Sequence, residues 1–206
     1  MKRILFVCTG NTCRSPMAEA LFRRLAREAG LKVEVRSAGV SAMDGMSASR
    51  HAVEVLKKKG IDHDHRSRSI QPELLEWADL ILTMTTGHKQ MLTAFYPQTI
   101  GKAYTLKEYV LSDADTEALI RELDGIRAEL ATMEALGQKK SDDDAMRSLR
   151  EREERLWTRL QERLGDLDVA DPFGGSVEVY ERCAEELEEL LKRLIDRLRG
   201  ETAKRG

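Results

Sequence analysis

At 206 residues the chain has room for one domain with a well-filled core, plus an appendage. Its net charge of −2 argues against a nucleic-acid partner held by bulk charge, and no apolar run is long enough to suggest a membrane span or a leader peptide. Three cysteines, Cys8, Cys13 and Cys183, lack zinc-type spacing and point to a reduced, cytoplasmic setting.

The first predicted element is a strand over 3–8, an apolar run that ends at Cys8. A helix over 15–29 follows, with its apolar period at Met17, Ala20, Leu21 and Leu25. Between them lies Cys8-Thr9-Gly10-Asn11-Thr12-Cys13-Arg14-Ser15-Pro16, a thiol and an arginine separated by five residues. A loop from a strand end to a helix start offers free backbone N–H groups and the positive end of the helix dipole, a concave site for a phosphate-sized anion. The same field favours a thiolate, so Cys8 is expected to be substantially ionised and nucleophilic. Gly10 is expected to supply the backbone freedom of the loop. Arg14 offers a planar fork for two phosphoryl oxygens, and Ser15 a hydroxyl hydrogen bond to the sulfur. The plain alternative, a packed cysteine and a solvated arginine, fits the strand–Gly–helix context poorly.

Further strands are predicted over 32–37, 79–84 and 102–105, and helices over 47–59, 72–77 and 87–95, with Gly30 and Gly60 stopping the first two long helices. A last helix spans 176–199. Alternation of strands and helices implies an α/β fold: a doubly wound, four-stranded parallel sheet flanked by helices, flavodoxin-like, with the anion loop at the carboxyl end of its first strand.

Between Val110 and Asp166 the composition shifts to Leu, Ala, Glu, Arg and Lys. Leu119, Leu123, Ile126, Leu130 and Met133, then Met146, Leu149, Leu156, Leu160 and Leu164, recur at helical spacing around a polar break at Gly137 to Asp144. The segment 113–166 reads as an inserted antiparallel two-helix hairpin, dividing the chain into a main domain of 1–112 and 167–206 and an appendage. Glu153 falls where the seam expects an apolar residue, and Trp157 reads as a packing residue beside it. A hairpin buries little surface alone, so it is expected to pack on the main domain, on a second copy of the chain or on another protein. Because it ends just before Asp171, its position is expected to bias the loop that follows.

That loop, Asp171-Pro172-Phe173-Gly174-Gly175, is a tight turn able to present a carboxyl over the anion site. Asp171 is the candidate general acid and later base; an ordinary turn before a helix is the alternative. Cys183 follows helical spacing with Tyr180 and Leu187 and reads as core.

Cys8 to Pro16, Val35-Arg36-Ser37-Ala38-Gly39 and Asp171-Pro172 resemble the low-molecular-weight protein tyrosine phosphatases over roughly 1–112 and 167–199. Thr12, Met84-Thr85, Leu106-Lys107-Glu108-Tyr109 and Asp171 to Gly175 look like the bacterial protein arginine phosphatase branch. The resemblance implies a phosphoenzyme on Cys8, phosphate held by Arg14 and the N–H groups of Thr9 to Ser15, and Asp171 as acid and then base, without metal or cofactor. It implies that Asn11, Ser15, Ser37 and His65 keep the loop in shape, with His63 an alternative two residues away. It also implies a reversible disulfide between Cys13 and Cys8, beside the reading of Cys13 as a small buried residue.

Two features bear on the substrate, expected to be a phosphorylated protein. Phe173 is followed by two glycines, which reduces the aromatic walls that would sandwich a phenyl ring. Thr12 puts a hydroxyl and a methyl inside the anion loop, where they suit a polar, planar phosphoguanidinium and crowd a phenol. Phosphoarginine is therefore the expected substrate and phosphotyrosine the alternative. A reading of another class is a scaffold whose hairpin is the main binding surface.

Overall fold

The computed structural model describes residues 1–136 and 143–203. Its elements are β1 (Lys2–Cys8), α1 (Arg14–Glu28), β2 (Val33–Gly39), α2 (Arg50–Lys58), α3 (Pro72–Trp77), β3 (Leu80–Thr83), α4 (Thr86–Phe95), β4 (Ala103–Thr105), α5 (Leu106–Leu111), α6 (Ala114–Ala135), α7 (Asp143–Leu164) and α8 (Val177–Ala203). The strands form one all-parallel sheet in the order β2-β1-β3-β4, with Cys8 opposite Gly39 and Val7 opposite Thr83. This is the doubly wound α/β sheet expected.

Alternation along β1 explains the two cores. Ile4, Phe6 and Cys8 face a layer built from α1, α2, α5 and α8, whereas Leu5 and Val7 face α3, α4 and Ile70. A strand buried on both faces is nearly continuous in apolar residues, as β1 is. Its central place in the sheet puts its carboxyl end at the middle of the molecule's upper edge.

Several boundaries differ from expectation for local reasons. Helix α2 starts at Arg50 because the Ser49 hydroxyl accepts from the Ala52 N–H at 3.4 Å, and Ser47 instead bridges to Arg66. Gly30 and Gly60 do end their helices, at φ 68° and 72°. Gly200 does not end α8: Glu201, one residue on, accepts from Lys2 Nζ and Tyr109 Oη, both at 2.6 Å, which holds the last turn in place. The short α5 was not anticipated, although Thr105 and Glu108 form a full capping box at its start.

Helices α6 and α7 pack as an antiparallel pair around Leu119, Leu123, Ile126, Leu130, Leu156 and Leu160, joined by Ile120. The polar break expected at Gly137 to Asp144 lies largely outside the described residues. Glu153 interrupts the seam as an ion pair, 2.7 Å from Arg127, whose guanidinium also lies over the Trp157 ring. The pair is seated on the main domain: Tyr104 and Leu167 pack into its core, and buried Lys89 of α4 bonds Glu108 of α5 at 2.7 Å and Asp124 of α6 at 3.0 Å. Among the described residues no helix is long and apolar enough to cross a membrane.

Candidate active site

Cys8 ends β1 and Arg14 opens α1, so both flank the same turn of backbone. Helix α1 has no side-chain cap and no acidic residue in its first turn, which leaves its N-terminal N–H groups and dipole unopposed for an anion. Cys8 Sγ lies 2.9 Å from Ser15 Oγ. Arg14 Nη1 donates to the Val169 carbonyl at 3.0 Å and Nη2 to Asp171 Oδ2 at 2.8 Å, while its buried Nε has no hydrogen-bond partner. An unpaired, buried guanidinium donor beside a thiol is what an incoming oxyanion would satisfy.

Burial pushes the Cys8 thiol up from its ordinary range, against the pull of the Ser15 hydroxyl, the loop N–H groups and Arg14. This runs against the expectation of a substantially ionised Cys8: at 2 % exposure, desolvation is the largest influence on the thiol.

The loop is shaped by Asn11, not Gly10. Asn11 holds φ 54°, whereas Gly10 lies outside the left-handed region and has ordinary space for a Cβ, its nearest neighbour being Thr12 Oγ1 at 3.7 Å. Asparagine tolerates that conformation when its side chain is held locally. Here Asn11 Nδ2 donates to Ser15 Oγ and Ser37 Oγ, each at 2.9 Å, and Oδ1 accepts from the Arg68 N–H at 2.8 Å. Its carbonyl accepts from His65 Nε2 at 2.7 Å; of the two histidines in that run, His65 is the one touching the loop. Ser37 in turn donates to Glu19 at 2.5 Å. Gly39 backs the loop, where a Cβ would meet the Thr9 carbonyl at 2.4 Å.

The segment that ends in Asp171 approaches from the other side. The Val169 N–H bonds the Met84 carbonyl, Asp168 accepts from the Thr86 N–H at 2.7 Å, and the Asp168 carbonyl accepts from Lys107 at 2.6 Å. Leu167 lies in the core of the α6–α7 pair, so the segment that ends in Asp171 is seated on that pair. Asp171 Oδ1 accepts from the Phe173 N–H at 3.2 Å, and Gly174, at φ 78°, closes the turn.

These parts enclose a cavity of about 210 Å³ lined by Cys8, Thr9, Gly10, Thr12, Cys13, Arg14, Asp171 and Phe173. Thr12 is on its wall with Oγ1 3.6 Å from Cys13 Sγ, and Phe173 is 77 % exposed at its mouth. All three cysteines are free. Cys13 Sγ contacts Tyr180 Oη at 3.2 Å, and Cys183, its thiol pushed by burial up to about 12, contacts the Ala170 carbonyl just before Asp171.

Sequence reasoning missed Glu19, His88 and Tyr180. Glu19 is a buried carboxylate between the apolar Ala18 and Ala20 on α1, a pattern that marks a carboxylate with an internal partner. His88 Nε2 lies 2.8 Å from Thr9 Oγ1, and burial, with Arg14 nearby, lowers it to about 4; only the fold brings these two residues together.

Residues 3–122 match the family described as low molecular weight phosphotyrosine protein phosphatase. Over 199 residues the chain is 38% identical to a protein-arginine-phosphatase of Geobacillus stearothermophilus, covering 97% of each. Over 116 residues it is 42% identical to a probable low molecular weight protein-tyrosine-phosphatase, EpsP, of Ralstonia solanacearum, covering 56% of this chain and 77% of the relative. A solved structure of the YwlE arginine phosphatase, a Cys-to-Ser mutant with a phosphorylated active-site serine, is similar at 38% identity and a TM-score of 0.68, covering 96% of this chain and 95% of the other.

Proposed function

The chain belongs to the low molecular weight phosphotyrosine protein phosphatase family, and from that premise we propose that it removes phosphate from phosphoarginine in proteins through a cysteinyl-phosphate on Cys8. One observation carries the arginine reading. A relative named protein-arginine-phosphatase matches at 38% identity over 97% of both chains, whereas a relative named low molecular weight protein-tyrosine-phosphatase, of Streptomyces coelicolor, matches over 90% of this chain at 31% identity.

In this reading the Cys8 thiolate attacks phosphorus and forms an S–P bond as the P–N bond to the guanidine breaks. Arg14 and the loop N–H groups hold the equatorial oxygens as charge builds on them. Asp171, protonated at that stage, gives its proton to the leaving nitrogen; as a carboxylate it then takes a proton from the water that cleaves the S–P bond. The Arg14–Asp171 pair opens when phosphate arrives, which frees the carboxyl to reach the leaving group. The phosphorylated serine in the YwlE mutant supports a covalent intermediate at the matching position. Thr12 acts as selector, its hydroxyl meeting the guanidinium. Residues 1–112 and 167–206 are taken as the phosphatase unit and 113–166 as its appended hairpin, in a reduced, cytoplasmic setting.

The test is steady-state hydrolysis of matched phosphoarginine and phosphotyrosine peptides by wild type and Thr12→Ile, with Cys8→Ser as blank. A wild-type preference for phosphoarginine that moves toward phosphotyrosine in the variant supports both substrate and selector. Wild-type preference for phosphotyrosine sinks the arginine reading and leaves the Cys8 chemistry standing.

A further inference from the structure

Behind the nucleophile loop, Glu19, His63 and His65 bring one carboxylate oxygen and two imidazole nitrogens within 4.8 Å of one another. They line an open cavity of about 880 Å³, separate from the one that holds Cys8. Glu19 and His65 are buried, and the His63 ring stacks on that of His65 at 5.4 Å. His63 Nε2 is buried without a hydrogen-bond partner. A buried, unpaired ring nitrogen is unusual enough to require a ligand or a reason.

His65 is already oriented for such a ligand. A carbonyl can only accept, so the 2.7 Å contact with the Asn11 carbonyl fixes the proton on Nε2 and leaves the lone pair on Nδ1. A backbone carbonyl holding one ring nitrogen while the other binds is the usual support of a metal-bound histidine. Two imidazoles and one carboxylate suit zinc and its neighbours among the late divalent metals, with water completing the shell, and do not suit the all-oxygen shells of calcium or magnesium. Arg23, with a half-exposed side chain, now supplies the positive charge by pairing with Glu19 at 2.7 Å. Bonds of about 2.0–2.1 Å would draw the three donors to roughly 3.3 Å apart, a closure within reach of side-chain rotation.

We propose that Glu19, His63 and His65 bind one zinc-class divalent ion, and that the ion lowers turnover by drawing Glu19 away from Ser37. The coupling is physical. Ser37 donates to Glu19 and accepts from Asn11, Asn11 donates to Ser15, and Ser15 contacts the Cys8 sulfur.

The binding test uses Cys8→Ser protein, so that the nucleophile cannot itself take the metal, titrated with Co²⁺ and with Zn²⁺ in competition. One equivalent of Co²⁺ should give visible d–d absorption without an intense sulfur-to-cobalt band. Adding His63→Ala should weaken binding at least about 10-fold, and adding Arg23→Gln, which removes the competing cation, should tighten it. A sulfur-to-cobalt band, or equal affinity with and without His63, overturns the site. With Cys8 intact, His63→Ala should turn over at the wild-type rate in metal-free buffer, which also shows that it folds. Zn²⁺ should inhibit wild type reversibly, with EDTA restoring activity, and inhibit His63→Ala far less. Equal inhibition of the two overturns the link through Glu19.

Discussion

Arg14 and Asp171 meet at 2.8 Å across the mouth of the site, the arginine side chain 5% exposed and the carboxylate 49% exposed. Asp171 thus occupies a hydrogen-bonding arm that a phosphoryl group would use, so the two would compete for one guanidinium.

Removing the competitor separates binding from chemistry. Asp171→Asn should lower kcat about 10²- to 10⁴-fold if Asp171 is the proposed acid, because the leaving group is then no longer protonated. The same variant should bind inorganic phosphate more tightly, because Arg14 no longer pairs with a carboxylate. Product-inhibition constants measured beside kcat check both; weaker phosphate binding by Asp171→Asn would contradict the competition.

Ser15 pulls the Cys8 thiol down against burial. In Ser15→Ala that hydrogen bond is lost, the thiol rises further, and less thiolate is present at any pH below it. A hydrogen bond to a charged group is worth roughly 1.5–3 kcal/mol, so alkylation of Cys8 by iodoacetamide at neutral pH should slow about tenfold or more. An unchanged pH profile of alkylation would remove Ser15 from the activation of the nucleophile.

His88 titrates at about 4 in the folded protein, below its ordinary 6.5. The unfolded chain therefore takes up the proton first as pH falls. The stability tied to neutral His88 is full above pH 6.5, declines as pH drops below it, and is gone below about pH 4. His63 and His65 are also lowered by burial and act in the same direction, so the readout is a difference. His88→Gln should show a smaller fall in Tm than wild type between pH 7 and pH 4 (roughly the window set by those shifts), and parallel curves would refute it.

Lys89 is the charge that joins α4, α5 and α6. Lys89→Met leaves Glu108 and Asp124 facing each other without a cation, and should destabilise the fold by about 3–5 kcal/mol. Adding Asp124→Leu should recover part of that loss. Urea unfolding measures both; a single variant within about 1 kcal/mol of wild type would mean that solvent already screens the triad.

What was legible in the sequence is what lies close together along it. Cys8, Ser15 and Arg14 share one turn of strand, loop and helix, so spacing alone placed them on one anion site. Asp171 became visible only through its Pro-Phe-Gly-Gly context, since nothing local says that a residue so far along the chain faces Arg14. Backbone freedom in the loop was expected of Gly10 by residue type, and the left-handed position belongs to Asn11, whose partners Ser37, His65 and Arg68 come from β2 and the loop after α2. Helix α5 escaped notice because six residues are too few to show a period, although its capping box was readable. Glu153 looked like a flaw in a seam and is one half of an ion pair whose other half sits on the opposite helix.

The packing of α8 against α1 carries a consequence for biosynthesis. Met17, Leu21 and Phe22 behind the nucleophile loop share one core with Leu187, Leu191 and Leu194, supplied by the last helix of this chain. A ribosome adding about 5–20 residues per second takes about 8–35 s to travel from one to the other. Through that interval the buried thiol has no finished wall behind it, so the nascent chain holds its nucleophile in an unfinished pocket until α8 emerges and docks.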